Sequence, residues 1–427
     1  MNEPIFIARQ DTLEQEILPA HWLAQYKLFG EESYTFQDKE IWKKLCMSSA
    51  AANDRDIHAE ALEEMLTTFS AEHTGKWMLL VYGTNAAALE GLATMAAIAA
   101  NGTAMGAVVD NALLMHAIAN SETAMQRIAN SQTAMQRVAN NRGAMDAIGR
   151  SRIARDAVQA SPYYNSCIKE NDMAIAKLAV ALANLESAGY SGMAGVAADS
   201  TAMTAVAASA TAMTAVAASS VARNAISASP YYDEKIKEND MAIAKLVVGF
   251  ANLASANYSS MAGVVADATA MTAVAASSTA MTAVAASGVA LKAIAQAYKN
   301  TANMLQFLKA VNASDTLIKR IYNTLTNATA LFGATQLGSQ DGVESANSWA
   351  TTSAAPNAFL ACACGYYSSG GSSVNVTYNG TVIAQNKTGT KQPGSVTSTN
   401  VNAITMAPST FTENGDGWLA VQKFTAK

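Results

Sequence analysis

A ten-residue unit governs the middle of this chain. From about residue 91, Met recurs at every tenth position as Met95, Met105, Met115, Met125, Met135 and Met145. Val or Ile follows each by three, as Ile98, Val108, Ile118, Ile128, Val138 and Ile148, and Arg155/Val158 ends the array. The register resumes as Met193/Val196, Met203/Val206, Met213/Val216 and Arg223/Ile226, then as Met261/Val264, Met271/Val274, Met281/Val284 and Leu291/Ile294. Chance does not hold two apolar positions over so many copies, and such self-similarity marks a serial architecture whose units cannot bury their apolar faces singly. A larger duplication encloses the last two arrays. Ser161-Pro162-Tyr163-Tyr164 and Ile168-Lys169-Glu170-Asn171-Asp172-Met173-Ala174-Ile175-Ala176-Lys177-Leu178 return 68 residues later as Ser229-Pro230-Tyr231-Tyr232 and Ile236 to Leu246.

The decad reads as a short amphipathic helix. With Met at the origin, Val three on and Ala four on form an apolar stripe about 100° wide, and Thr or Gln fall on the other side. Ten is a poor multiple of 3.6, so a continuous helix would rotate this stripe by about 80° per copy. Turn and N-cap residues stand at the junctions instead: Asn120-Ser121, Asn130-Ser131, Asn140-Asn141, Ser209, Ser219-Ser220 and Ser277-Ser278. Helices of roughly seven residues, each about 11 Å long, are expected to be capped, turned and stacked. Helices that short do not persist alone in water, so the stack supplies their stability, from neighbours or from partner chains. A β-solenoid is disfavoured, because Ala is depleted from strands and the apolar spacing of three contradicts period two. The expected core of the repeat is Met125, Ile128, Met135, Val138, Met203, Val206, Met213, Val216, Met271, Val274, Met281 and Val284.

The inserts and ends differ. Ile168, Ile175, Leu178, Leu182 and Leu185 give residues 165–188 a helical stripe. Two more helices are expected in residues 299–333, carrying Met304, Leu305, Leu308 and Val311, then Leu317, Ile318, Ile321, Tyr322 and Leu325, with a turn at Asn312-Ala313-Ser314. Residues 1–82 hold Trp22, Trp42, Trp77, Phe29, Tyr34 and Phe36, the composition of a small mixed globular domain, with a helix over 53–69 that sets Leu62, Met65 and Leu66 against Glu60, Glu63 and Glu64. Residues 336–427 turn to Ser, Thr, Asn, Gly and Val. Val374–Ala384 alternates around Asn379-Gly380, a strong hairpin signal, and Asn414-Gly415-Asp416-Gly417 leads into a strand at Trp418. The fold class is therefore mainly α: an N-terminal domain (1–82), a helical shaft of decads (83–160), two 68-residue modules of a long helix plus four decads (161–298), a helical hairpin (299–335) and a small C-terminal β-sandwich or barrel (336–427).

Composition narrows the chemistry. About a fifth of the residues are Ala, with 7% aromatic and 14% charged, so the middle of the chain cannot build a thick enzyme-like core. A net charge of −5 with dispersed Lys and Arg argues against nucleic acid. No run of 18 strongly apolar residues suggests a membrane span. Met1-Asn2-Glu3-Pro4 has no signal-peptide character, and Cys46, Cys167, Cys362 and Cys364 lack a framework spacing, so assembly in a reducing cytoplasm is expected. No nucleotide-loop or nucleophile-elbow motif is present. Asp54, Asp56, His58 and Glu60 suit a helix start better than a metal, His116 occupies a polar surface position, and Glu413 and Asp416 read as turn-forming groups; no cofactor or metal is expected. The regular methionines read as core fillers. Trp349, Tyr366, Tyr367 and Trp418, set among Asn, Thr and Ser, are the residues most suited to binding a saccharide or a protein.

The tandem decads, as in Thr201-Ala202-Met203-Thr204-Ala205-Val206-Ala207-Ala208-Ser209, lie between a globular N-terminal end and a Gly/Ser/Thr-rich β end. In this the chain resembles fibre-type tail appendage proteins of tailed bacteriophages. The resemblance implies a structural virion protein without enzymatic activity. It implies a homotrimer anchored to other virion proteins through its N-terminus, with a distal β-domain facing a host-surface glycan or protein. The alternative it leaves open is a collar-, capsid- or baseplate-associated component whose β-domain binds other virion proteins.

Overall fold

A computed structural model describes residues 91–341, 347–351, 357–366, 371–389, 395–415 and 417–427, together with 86–89 and Ala59, Leu62, Glu63, Leu66, Thr67, Thr74, Gly75 and Met78. The protein is mainly helical with a C-terminal region of antiparallel sheet. Most of the expected N-terminal domain, with its tryptophans, Cys46 and the Asp54–Glu60 cluster, lies outside the described residues. The chain divides into two compact units, Met1–Val196 and Ala197–Lys427.

In the first unit each decad is one helix: Gly102–Val109, Ala112–Ala119, Glu122–Ala129, Gln132–Ala139, Arg142–Arg150 and Arg152–Ala160. They run eight or nine residues, slightly longer than expected, because the cap is a single residue. Asn101, Asn111, Ser121, Ser131, Asn141 and Ser151 hold extended backbone and accept from an amide of the helix's first turn, while Asn120, Asn130 and Asn140 close the preceding helices. The axes of Gly102–Val109 and Ala112–Ala119 bend by 100°. Three such bends bring the chain back over itself, so each helix packs on the third one along: Gly102–Val109 on Gln132–Ala139, Ala112–Ala119 on Arg142–Arg150, Glu122–Ala129 on Arg152–Ala160. The repeat is a solenoid with three helices per turn.

The cap hydroxyl serves both directions of this stack. Ser131 Oγ accepts from Ala134 N (3.2 Å) and donates to Ala99 O (2.6 Å) one turn below. Ser151 and Ser161 donate likewise to Ala119 O (2.6 Å) and Ala129 O (2.5 Å). One side chain thus satisfies an orphan amide of its own helix and an orphan carbonyl of another. All twelve expected core positions are buried to 1% exposure or less, and so is the Ala just before each Met, such as Ala124 and Ala134. The stripe is wider than the sequence suggested because two neighbouring helices press on it. The core closes within one chain.

Glu63, expected on the face away from Leu62, Met65 and Leu66, accepts from the Ser121 hydroxyl, Thr123 N (3.2 Å) and Thr123 Oγ1 (2.7 Å) at the start of Glu122–Ala129. The insert is not one helix over 165–188 but two, Tyr164–Cys167 and Asp172–Leu182. Asn184 adopts φ 59°, which ends the second and leaves Leu185 beyond it.

The second unit repeats the plan: Ala210–Ala218 packs on Asp240–Phe250, which packs on Ser278–Ala286, and Ala268–Ala276 packs on Thr301–Asn312. Thr301–Asn312 and Asp315–Asn327 are the two expected terminal helices. Against them lies an antiparallel sheet of order β1 (Phe332–Asp341), β8 (Gly417–Ala426), β3 (Ala358–Tyr366) and β6 (Ala403–Met406). A second sheet runs β2 (Asn347–Thr351), β7 (Ser409–Gly415), β4 (Ser372–Tyr378) and β5 (Thr381–Thr388). β3 is buried along almost its whole length, as a strand covered on both faces must be. Phe359 meets Phe307 of the helices (6.4 Å between centroids) on one side, and Cys364 faces Ser372 and Glu413 of the second sheet on the other. β4 alternates buried Val374, Val376 and Tyr378 with half-exposed Ser373, Asn375 and Thr377, the pattern of an outer sheet. Asn379 and Gly380, at φ 47° and 77°, form the expected two-residue turn to β5. Asn312, expected only as a turn residue, ties helix to sheet: its Nδ2 donates to Ile404 O (2.7 Å) and its Oδ1 accepts from Ile404 N (3.1 Å).

Candidate functional site

The aromatic residues singled out in the sequence do not form one site. Trp418 is 1% exposed and fills the space over Gly365, where an added Cβ would stand 2.4 Å from the indole. It is a core residue, because β8 is a central strand between helices and the second sheet, and this corrects its assignment to a binding surface. Tyr366 is half-buried at the end of β3, opposite Gly417. Trp349 belongs to the other sheet, where its backbone pairs with Phe411, and Tyr367 lies outside the described residues. His116, expected on the surface, is half-buried, with its Nε2 3.0 Å from Asn120 Nδ2.

What the β region offers outward is the row that alternation in β4 creates. Ser373, Asn375 and Thr377 stand beside Asn414, Thr412 and Thr410 of β7 in register. The side chains described there are half-exposed, short, uncharged hydrogen-bonding groups. At the end of this row the hairpin makes a recess of about 220 Å³ lined by Thr377, Asn379, Gly380, Pro408, Ser409 and Thr410. The signal for this row in the sequence is the polar half of the β4 alternation, which contains no aromatic residue. Val382, 51% exposed on the edge strand β5, lies past the turn.

The two thiols of β3 are poorly suited to act as nucleophiles. Burial pushes the Cys362 thiol well above its ordinary range, and burial, opposed by the Ser372 hydroxyl and aided by Glu413, takes Cys364 to about 11. Both keep their protons at neutral pH. Among the described residues no cluster of His, Cys, Asp and Glu could hold a metal ion, and no single helix is long and apolar enough to cross a membrane.

The chemistry least expected from the sequence lies in the duplicated inserts, each of which buries a lysine. Lys177 is 0% exposed; its ammonium donates to Asp146 Oδ1 (2.5 Å) and Ser187 O (3.0 Å), and the Ser187 hydroxyl donates to the same Asp146 oxygen (3.1 Å). Nearby, Arg150 pairs with Glu186 (3.1 Å) and Arg142 donates to Ala188 O (2.5 Å). Sixty-eight residues on, the lysine and the serine persist as Lys245 and Ser255, but Asp146 becomes Thr214, Arg142 and Arg150 become Ala210 and Ala218, and Glu186 becomes Ala254. Lys245 donates to Ser255 O (3.0 Å) and Ala256 O (3.2 Å), and burial lowers its pKa from the usual lysine value. The Thr214 hydroxyl turns back onto Ala210 O (2.8 Å) of its own helix. The close helix contact survives by an exchange: Gly149 against Ala181 in the first copy, Ala217 against Gly249 in the second.

Comparison with known proteins adds no family: no protein-family model matches the chain, and no curated protein matches it significantly.

Proposed function

We propose that the chain is a non-enzymatic structural protein of a tailed-phage particle, of the fibre or appendage type, whose β-sandwich contacts a host surface. In this reading the decads form a shaft, residues 1–82 join it to other virion proteins, and three copies assemble so that weak contacts gain avidity. The observation that carries the binding role is the uncharged Ser/Asn/Thr row on the outer sheet, with its polar recess at the β4–β5 turn. Such a face suits a hydroxyl-rich ligand, because short hydroxyls and amides match sugar hydrogen bonds at little entropic cost. Its mount is stiff: the inner sheet shares a continuous core with the last helices of the unit. The test is competition. Full-length protein should block adsorption of the phage to its host, and Asn375→Arg with Thr377→Arg, which leave the buried half of β4 intact, should abolish the block. Unimpaired competition by that variant would remove the outer face from the reading.

The exposed Val382 on edge strand β5 favours a second reading, in which the β region docks on another virion protein by edge pairing. Labelling of the C-terminus in intact particles separates the two: it is accessible in the first and covered in the second.

A further inference from the structure

We infer that the second module contains a seat for a small monovalent anion of chloride size, between Lys245 and Ser255. In the first module the corresponding place is filled by the Asp146 carboxylate, which takes one hydrogen from Lys177 and one from the Ser187 hydroxyl. In the second module the donors remain and the acceptor is gone. Lys245 is 2% exposed, and two of its three ammonium hydrogens go to the Ser255 and Ala256 carbonyls, which leaves one. Ser255 is 4% exposed, and its buried hydroxyl has no hydrogen-bond partner. The helices packed on Asp240–Phe250 carry Arg223 and Lys292 but no acidic residue. The acids at the start of this helix and of Ala268–Ala276 are committed: Asp240 accepts from Met261 N (2.7 Å), and Asp267 from Tyr258, Thr269 and Ala270. A buried ammonium without a counter-charge is costly, and a water molecule would satisfy its hydrogen bond without neutralising it. An anion taken from solvent does both.

The experiment uses the full chain in sodium chloride and in sodium gluconate at equal ionic strength, with hydrogen exchange read in helix Asp240–Phe250. Exchange should slow saturably with chloride in that helix, and not in Asp172–Leu182. Thr214→Asp, which restores the missing carboxylate, should abolish the response. Ser255→Ala removes a hydroxyl that has no partner in the protein, so it keeps the fold and should weaken the chloride effect by about tenfold. Bromide soaked into crystals should appear between Lys245 Nζ and Ser255 Oγ. Equal exchange in the two salts, a response unchanged in Ser255→Ala or surviving in a folded Thr214→Asp, or only water at that place would overturn the inference.

Discussion

Replacing each buried lysine by methionine separates the worth of a partner from the cost of burial. Met keeps most of the volume and removes the charge in both Lys177→Met and Lys245→Met. Both variants strand one carbonyl, Ser187 O or Ser255 O, and both abolish the same ammonium desolvation. They differ in what else is stranded. Lys177→Met leaves Asp146, whose side chain is 14% exposed, with the Ser187 hydroxyl in place of a counter-ion. Lys245→Met leaves a second neutral carbonyl, Ala256 O. Breaking a buried ion pair from one side costs about 3–5 kcal/mol, against about 1–3 kcal/mol for an orphaned neutral acceptor. The first variant should therefore lose about 2 kcal/mol more than the second, or about 30-fold in the local opening constant. Hydrogen exchange resolved to Asp172–Leu182 and Asp240–Phe250 measures both openings in one protein. Adding Asp146→Thr to Lys177→Met, which gives the first module the same groups as Lys245→Met leaves in the second, should recover most of the difference. Equal losses at the two sites, or no recovery in the double variant, would refute the assignment of the cost to the stranded carboxylate.

Three further outcomes follow from other contacts. Glu238 accepts from Gly288 N (3.1 Å) and Val289 N (3.0 Å) at the head of helix Gly288–Gln296, so Glu238→Ala should cost about 1–2 kcal/mol and speed exchange in that helix first. Gly365→Ala drives a methyl into the Trp418 indole and should destabilise by about 1–3 kcal/mol, with a changed near-ultraviolet dichroism reporting the displaced ring. Burial, aided by Glu170 for Tyr164 and by Asp233 and Glu238 for Tyr232, raises both phenols from 10.0 to about 12. The folded state then holds protons that the unfolded state releases, so stability present below pH 10.0 is lost as pH climbs toward about 12. Absorbance titration should show a late tyrosinate fraction whose latest part is lost in Tyr164→Phe/Tyr232→Phe.

The sequence made the helices legible and left their closure hidden. Met, Val and the Ser or Asn junctions specify a short capped helix through local spacing alone, and each cap lies where its spacing placed it. The bend between helices is set by cap geometry and by packing, which no single decad records, so three helices per turn could not be read from the period of ten. Ala124 and Ala134 belong to the core for the same reason: Ala is ambiguous until a neighbour presses on it. In the β region, alternation disclosed β4 and its turn. Trp418 was misread because an aromatic at a strand start looks the same whether its sheet is covered on one face or on two. The lysines were the most hidden. Lys177 sits in an apolar run where a snorkelling side chain is the ordinary expectation, and its partner lies 31 residues away, one solenoid turn back.

Closure within one chain also changes what the trimer in the proposed fibre has to explain. The repeat was expected to find shelter for its thin stripe in neighbours or in partner chains, and the neighbours suffice: Met and Val of every decad from Met95 to Val284 are at most 2% exposed within the single chain. Oligomer formation is then separable from folding of the decads. A variant or a dilution that yields monomers should leave helix content and the exchange protection of the decads unchanged, because no stripe residue is uncovered when copies part. Helix content that falls with dilution would mean that part of the repeat's stability resides between chains. The contacts joining copies in a fibre would have to come from the exteriors of the decads, the N-terminal residues or the β region, and the two units differ there. The first unit's decads expose charges of both signs, Arg127, Arg137, Arg142, Arg150 and Arg152 beside Asp110, Glu122 and Asp156, while Ser200–Ala208, Ala210–Ala218, Ala268–Ala276 and Ser278–Ala286 carry no charged residue at all. In the proposed fibre, association of copies through the uncharged Thr and Ala faces of the second unit should be insensitive to salt, whereas association through the charged exteriors of the first unit should change with it.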